Sequence, residues 1–116
     1  ILVVDDEEPV RTLLRDCFEL EGYRVAEAAD ASEAMGQLEA TVPHLITLDL
    51  KLGGDDGLQL ARQIRARCNV PIVMITSRTA DKHQDFAREI GVDAYLGKPY
   101  QEEELLARLA EFVARR

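Results

Sequence analysis

Short apolar runs alternate with stretches of helical periodicity, and this alternation constrains the fold more than any other feature of the sequence. The runs are Ile1–Val4, Tyr23–Ala28, Leu45–Leu48, Val70–Ile75 and Ala94–Leu96. The first of them is continuously apolar and rich in β-branched residues, which is typical of a strand covered by helices on both faces. Five strands that each precede a helix predict repeated strand–helix units and a parallel sheet.

The segments between the runs carry helix signals. Pro9 suits the first turn of a helix over residues 8–20, and Gly22 ends it. Asp30 and Glu33 have the spacing of a capping pair that opens a second helix. The third helix is predicted to carry Leu58, Leu60, Ala61 and Ile64 on its inner side. The fourth contains Phe86, Ala87 and Ile90 and ends at Gly91. The last carries Leu105, Leu106, Leu109, Phe112 and Val113 on one face.

These units predict an α/β fold of the flavodoxin-like, doubly wound type, with a five-stranded parallel sheet in the order 2-1-3-4-5 and five helices. The 116 residues are close to the usual size of one domain, so residues 1–116 are expected to form a single one. In such a sheet ligands bind beyond the carboxyl ends of the strands, where the strand order reverses. That position lies between the first and third strands, which end at Asp5, Asp6 and Asp49.

The charge balance excludes several classes of partner. Asp plus Glu number 22 against 14 Lys plus Arg, a net charge of -8 without a basic stripe, so we expect no direct nucleic-acid binding. No apolar run approaches the length of a membrane helix and no leader pattern opens the chain, so a cytoplasmic protein without membrane contact is expected. Cys17, Cys68, His44 and His83 are isolated in sequence; reduced thiols and no zinc site are expected.

Polar side chains at four strand ends converge on one rim of the predicted sheet. Asp5, Asp6 and Asp49 would repel one another unless a cation compensates, and Mg²⁺ is the ion that suits an open site of carboxylates and water. Thr76 ends the fourth strand and Lys98 follows the fifth. Each residue alone is more often a solvated or turn residue, but their convergence favours a functional site, where Lys98 could pair with a carboxylate or with an arriving phosphoryl oxygen.

The motifs on this rim resemble those of the receiver domain of two-component response regulators. They are Ile-Leu-Val-Val-Asp-Asp-Glu at 1–7, Leu-Asp-Leu at 48–50, Asp56-Gly57, Ile75-Thr76-Ser77 and Lys98-Pro99-Tyr100, and the resemblance spans essentially the whole chain. It implies that Asp49 is the phosphorylation site. It also implies that Asp5, Asp6, Asp49 and the backbone carbonyl of Lys51 are ligands of a Mg²⁺ cofactor.

The resemblance further assigns roles at the fourth and fifth strands. It implies that Lys98 contacts the phosphoryl group, that Thr76 is a switch hydroxyl, and that Tyr95 is a switch aromatic that turns inward on phosphorylation. The Lys98–Pro99 peptide bond is expected to be cis. One departure from the family pattern is Gly53, where proline is common, and this predicts a more flexible metal-binding loop.

The implied function is a phosphorylation-activated switch, which catalyses only its own phosphorylation and dephosphorylation. The phosphoryl group would come from a sensor histidine kinase or a phosphotransfer protein, and the face of the fourth helix, fifth strand and fifth helix would control an output domain or partner. A homodimer through that face is possible, because Arg88, Glu89, Glu103 and Arg108 are charged residues of its two helices.

Three other functions are compatible with parts of the sequence. A flavin carrier is disfavoured because the acidic residues after the first strand would repel its phosphate. A calcium loop over Asp49 to Gly57 is disfavoured because Lys51 stands where an oxygen ligand is required. A receiver-like interaction module that works without phosphorylation remains open. The output is open as well, since residues 74–106 resemble receivers of histidine kinases and residues 49–67 those of winged-helix transcription factors.

Overall fold

Twelve elements make up the computed structural model, which describes residues 1–114. The strands are β1 (Leu2–Val4), β2 (Ala26–Ala28), β3 (Ile46–Leu48), β4 (Lys51–Leu52), β5 (Asp55–Asp56), β6 (Ile72–Thr76) and β7 (Ala94–Gly97). The helices are α1 (Glu8–Leu20), α2 (Ala31–Ala40), α3 (Gly57–Arg67), α4 (Asp81–Ile90) and α5 (Glu102–Ala114). None of the helices among these residues is long and apolar enough to cross a membrane.

The main sheet is parallel and has the strand order β2-β1-β3-β6-β7. Because β6 and β7 are the predicted fourth and fifth strands, the predicted order and fold class are confirmed. Val4 of β1 pairs with Ala28 on one side and with Leu48 on the other. The residues that follow β1 and β3 therefore leave the sheet at the same level and on the same edge.

Helices cover both faces of the sheet, and alternate residues of each strand point to opposite faces. On one face Leu2, Ile46, Ile72 and their neighbours pack with the buried residues of α2, α3 and α4. On the other face the buried residues of β1, β6 and β7, with Leu45 just before β3, pack with α1 and α5. The residues of this second cluster are Val3, Leu14, Phe18, Leu45, Val73, Ile75, Leu96, Leu105, Leu109 and Phe112. Leu2 and Ile72 on one face, with Val3 and Val73 on the other, make β1 and β6 apolar on both faces.

The predicted helix signals lie where the helices begin and end. The predicted first helix matches α1, and the carboxylate of Asp30 accepts a hydrogen bond from the Glu33 N–H at the start of α2. Gly91 ends α4 in the left-handed conformation, with φ of 107°. The expected cis peptide bond between Lys98 and Pro99 is confirmed.

Other sequence predictions differ from the structure. The predicted loop after Asp49 contains an antiparallel hairpin, β4–β5, with Gly53 and Gly54 at its turn. Pairing of the second strand starts only at Ala26, opposite Leu2, so the prediction of a strand from Tyr23 was three residues too long. Tyr23 instead donates its N–H to the carbonyl of Phe18, closing the turn after α1.

Phe86, one of the apolar residues named for the fourth helix, lies on the outside of α4. Its side chain is 53% exposed, whereas the neighbouring Ala87 is buried. Successive helix positions point about 100° apart, so Phe86 and Ala87 lie on different sides of α4, and the small Ala87 faces the sheet. Cys68 lies at the carboxyl cap of α3, one residue beyond the helix in which it was predicted.

Arg65, on α3, joins three segments at the amino end of the sheet. Its guanidinium donates to the carbonyl oxygens of Val70 at 2.6 Å and Gly91 at 3.0 Å, and to the carboxylate of Asp93 at 2.6 Å. The same oxygen of Asp93 accepts the N–H of Ile72 at 2.8 Å. Arg65 therefore ties the end of α4 and the approach to β7 to the beginning of β6.

Replacing Arg65 with alanine should lower the free energy of unfolding by about 2 kcal/mol, because carbonyl and carboxylate oxygens lose a charged donor in a mostly buried place. Urea denaturation followed by far-UV circular dichroism measures this. Arg67→Ala is the matched control, since Arg67 is 53% exposed and reaches Glu39 only at 3.5 Å; it should change the stability by less than about 0.5 kcal/mol. Equal effects of the two substitutions would contradict the role assigned to Arg65.

Candidate functional site

The carboxyl ends of the central strands bring four of the predicted site residues together. Asp5 follows β1, Asp49 follows β3, Thr76 ends β6 and Lys98 follows β7. Asp5, Asp49 and Thr76 are buried, with 2%, 8% and 1% of their surface exposed. Buried carboxylates need partners. This edge of the sheet therefore carries concentrated negative charge that other groups must balance.

Lys98 supplies that balance by bridging the two buried carboxylates. Its Nζ donates to Oδ2 of Asp49 at 2.9 Å and to Oδ2 of Asp5 at 3.0 Å. Its backbone N–H also donates to the carbonyl of Thr76 at 2.8 Å, which holds it against β6. Two carboxylates from distant parts of the chain thus share one ammonium group.

The pKa of Lys98 is set by opposing effects. Burial lowers it, but the hydrogen bonds and negative charges of Asp49 and Asp5 outweigh burial, so the pKa is raised above its ordinary value. A lysine with a raised pKa in the folded state adds stability that is fully present below the unfolded-state value near 10.4 and is lost as the pH rises through the folded-state pKa. The bridge is therefore intact at neutral pH.

The turn after β1 fixes the orientation of Asp5. Oδ1 of Asp5 accepts the N–H of Glu7 at 2.9 Å, which leaves Oδ2 for the lysine. Arg11 donates to the backbone carbonyl of Asp5 at 2.7 Å and lies 3.4 Å from the carboxylate of Glu27 on β2. This contact of Arg11 could not be predicted from the sequence, because basic residues are common in the first turns of amphipathic helices.

Asp6 lies beside Asp5 on the open side of the rim and completes an acidic group. Oxygens of Asp5, Asp6 and Glu7 lie within 4.8 Å of one another, and the last two residues are exposed. Such a set fits a hard cation that keeps several of its water ligands, so the residues present suit Mg²⁺. Asp49 is outside this group of three and is linked to it through Lys98. Glu7 was missed as a neighbour of the site, although the run Asp5–Glu8 contained it.

Asp49 is held by its own loop and by the hairpin that follows it. Oδ1 of Asp49 accepts the N–H of Lys51 at 3.3 Å, while the side chain of Lys51 is exposed. The N–H of Gly57 donates to the carbonyl of Leu50 at 2.6 Å and closes the base of the hairpin. A Cβ at Gly57 would lie 2.1 Å from the carbonyl oxygen of Asp49. Only glycine allows this approach of two backbones.

Thr76 and Tyr95 are both hydrogen-bonded to the backbone of Arg78. Oγ1 of Thr76 accepts the N–H of Arg78 at 3.2 Å, and the hydroxyl of Tyr95 donates to the carbonyl of the same residue. Burial, and after it the negative charge of Asp49, raise the pKa of Tyr95, while Arg78 opposes the shift. The two predicted switch residues are therefore linked through a single peptide segment.

The remaining residues singled out in the sequence lie away from the rim. Arg88, Glu89, Glu103 and Arg108 are exposed on α4 and α5, as a dimer face would require, and the dimer stays a prediction. Cys17 and Cys68 are free thiols. Burial, with the neighbouring Glu102, raises the pKa of Cys17 to about 11, so this thiol is protonated at neutral pH.

Gly57→Ala should lower the free energy of unfolding by roughly 3 kcal/mol, because the added methyl group would push the backbone of Asp49 out of place. Gly36→Ala is the control: Gly36 lies within α2, a Cβ there meets nothing within 4 Å, and the substitution should stabilise the protein by about 0.5–1 kcal/mol. Urea denaturation compares the two variants. A stable Gly57→Ala variant would show that this close packing is dispensable.

Comparison with known proteins agrees with this geometry. The sequence model of the family described as response regulator receiver domain matches residues 1–110. The BeF3-activated N-terminal receiver domain of RstA from Klebsiella pneumoniae is similar with a TM-score of 0.92 and 29% identity, covering 97% of this chain and 96% of that one. The receiver domain of NtrX from Brucella abortus is similar with a TM-score of 0.92 and 29% identity, covering 99% and 98%.

A longer NtrX chain from the same organism matches with a TM-score of 0.91 and 29% identity. The match covers 98% of this chain but 27% of that one. The fold, the strand-end residues and the family match over 110 residues lead to one conclusion. This chain belongs to the response regulator receiver domains, the signalling modules of two-component systems.

Proposed function

We propose that this domain is a phosphorylation-activated switch and that Asp49 accepts the phosphoryl group. The observation that carries the proposal is the Lys98 ammonium, 2.9 Å from Asp49 and 3.0 Å from Asp5 in a buried setting. A transferring phosphoryl group spreads negative charge over its oxygens, and its transfer depends on positioning and electrostatic stabilisation. The positive charge of Lys98 lies where such oxygens would arrive.

Asp5, Asp6, Asp49 and the backbone carbonyl of Lys51 would hold Mg²⁺ in this proposal. When bound, the ion would supply charge neutralisation for the oxygens of the phosphoryl group. Asp5 is already oriented by the N–H of Glu7, and Asp6 is open to solvent, so this turn offers one fixed and one adjustable carboxylate.

The donor in this proposal is a phosphohistidine of a sensor kinase or of a phosphotransfer protein. A carboxylate oxygen of Asp49 attacks the phosphorus atom, the phosphorus–oxygen bond forms as the phosphorus–nitrogen bond breaks, and the imidazole leaves with the electron pair. Lys98 stays charged throughout, because its raised pKa keeps it an ammonium group at neutral pH. The chain catalyses its own modification and no turnover reaction. The location proposed for this reaction is the cytoplasm.

The response to phosphorylation would begin at Thr76. An aspartyl phosphate adds strong acceptor oxygens next to a hydroxyl that now accepts the N–H of Arg78, and the hydroxyl would turn to donate to them. The N–H of Arg78 would then lose its acceptor on Thr76, while the carbonyl of Arg78 still accepts the hydroxyl of Tyr95. Movement of this segment would change the face of α4, β7 and α5, which is the surface proposed to contact an output domain, a partner or a second copy.

Intact-mass measurement after incubation with a small acyl phosphate tests the phosphorylation. The wild type with Mg²⁺ should gain one phosphoryl group, and Asp49→Asn should gain none. Asp16→Asn, an equal change of charge at an exposed position of α1, should behave as the wild type. Omitting Mg²⁺ should abolish the gain. No gain under any condition, including with a histidine kinase, would favour an interaction module that works without phosphorylation.

Tyr95→Phe tests the link through Arg78. Removing the hydroxyl leaves the carbonyl of Arg78 without its donor, so backbone amides of residues 77–80 should exchange with deuterium several-fold faster. Phosphoryl incorporation at Asp49 should stay close to that of the wild type, because the hydrogen bonds that hold the Asp49 carboxylate come from Lys98 and from the N–H of Lys51. Unchanged exchange in this segment would exclude a restraining role for the hydroxyl.

A further inference from the structure

The β4–β5 hairpin is fastened to the rest of the domain by a contact outside the site. Oδ2 of Asp55 accepts the backbone N–H of Ala31, the first residue of α2, at 3.1 Å. The two residues are 24 positions apart, so this bond joins separate parts of the chain. The hairpin carries Lys51, whose carbonyl is among the proposed Mg²⁺ ligands.

At the amino end of α2, the backbone N–H of Ala31 is the donor that binds this carboxylate. The first N–H groups of a helix lack intrahelical partners. Asp30 accepts from Glu33, and Glu33 accepts from Ala29 at 2.8 Å. Both local carboxylates are thus engaged elsewhere, and the N–H of Ala31 is taken by Asp55. A negative charge at this end of a helix is also favoured by the helix dipole.

The hairpin needs such support because it is short. Each strand has two residues, and two-stranded hairpins of this kind are marginal in water. Leu52, which pairs with Asp55, is buried in the core, and this holds one side of the hairpin. The turn contains Gly53, with a positive φ of 59°, so it offers little stiffness of its own.

We propose that Asp55 is a positioning residue for the β4–β5 hairpin, which carries the Lys51 carbonyl of the proposed Mg²⁺ site. It docks the hairpin on α2 and so keeps the carbonyl of Lys51 in place relative to Asp5 and Asp6. This inference rests on the proposed function, since it concerns the same Mg²⁺ site. The hydrogen bond between Ala31 and Asp55, called the tether below, restrains the hairpin from outside its turn. It therefore limits the flexibility predicted from Gly53.

Calorimetric titration of the purified domain with Mg²⁺ alone tests the inference, together with amide exchange in the metal-free protein. Asp55→Ala should speed exchange at Ala31 several-fold and raise the Kd for Mg²⁺ roughly three- to tenfold, as loss of an outer support does at metal sites. Asp55→Asn keeps an acceptor oxygen for the same N–H, so its Kd should stay within about twofold of the wild type. A domain that is merely less stable would not show this rescue in its Kd.

Two controls separate the outcomes. Asp16→Ala removes the same charge from an exposed position of α1 and should leave the Kd unchanged. If wild-type protein binds Mg²⁺ and Asp5→Asn abolishes binding, while Asp55→Ala binds as the wild type, the positioning role is wrong and the proposed function stands. If Asp55→Ala and Asp55→Asn weaken binding equally, charge alone acts and the tether is refuted. If the wild type binds no Mg²⁺, both proposals fail.

Discussion

One ammonium group between two buried carboxylates holds the site of this domain together. Asp5 and Asp49 leave adjacent strands at the same level, because Val4 and Leu48 are paired in the sheet. Without Lys98 their negative charges would face each other in a place with little water, which is costly. The lysine follows β7, which lies on the other side of β6 from β3. The geometry of the whole rim is therefore a consequence of strand order and of charge balance.

Much of this arrangement could be predicted from the sequence, because parallel strands impose a common direction on their ends. Once the strands ending before Asp5, Asp49 and Lys98 were recognised, their convergence needed no knowledge of side-chain packing. The order of the strands followed from the alternation of strands and helices, together with the handedness of crossovers. The ends of the strands could be predicted less closely. Tyr23 belongs to the turn after α1, and no local sequence pattern distinguishes an apolar residue in such a turn from one in a strand.

The features that escaped prediction depend on contacts between distant residues. The need for glycine at position 57 arises from the backbone of Asp49, which only the folded chain brings close. The hairpin has strands of two residues, too short for any periodicity to reveal. The exposure of Phe86 follows from which arc of α4 faces the sheet, and an apolar residue next to Ala87 gives no clue to that choice. Arg65 and Arg11 look like ordinary surface arginines until their carbonyl partners are known.

The contacts of Arg65 restrain α4 at its carboxyl end more than at its amino end. The carboxyl end of the helix is fixed, through Gly91 and Asp93, to the beginning of β6. The other end follows Ala80, which supplies no side-chain cap, and adjoins the segment of Arg78 to which Thr76 and Tyr95 bind. A displacement of α4 that preserves these contacts would pivot about its carboxyl end, so its amplitude would grow along the helix toward the edge of the sheet that carries Asp49. A small change at Thr76 would thus act on the end of α4 that is freer to move.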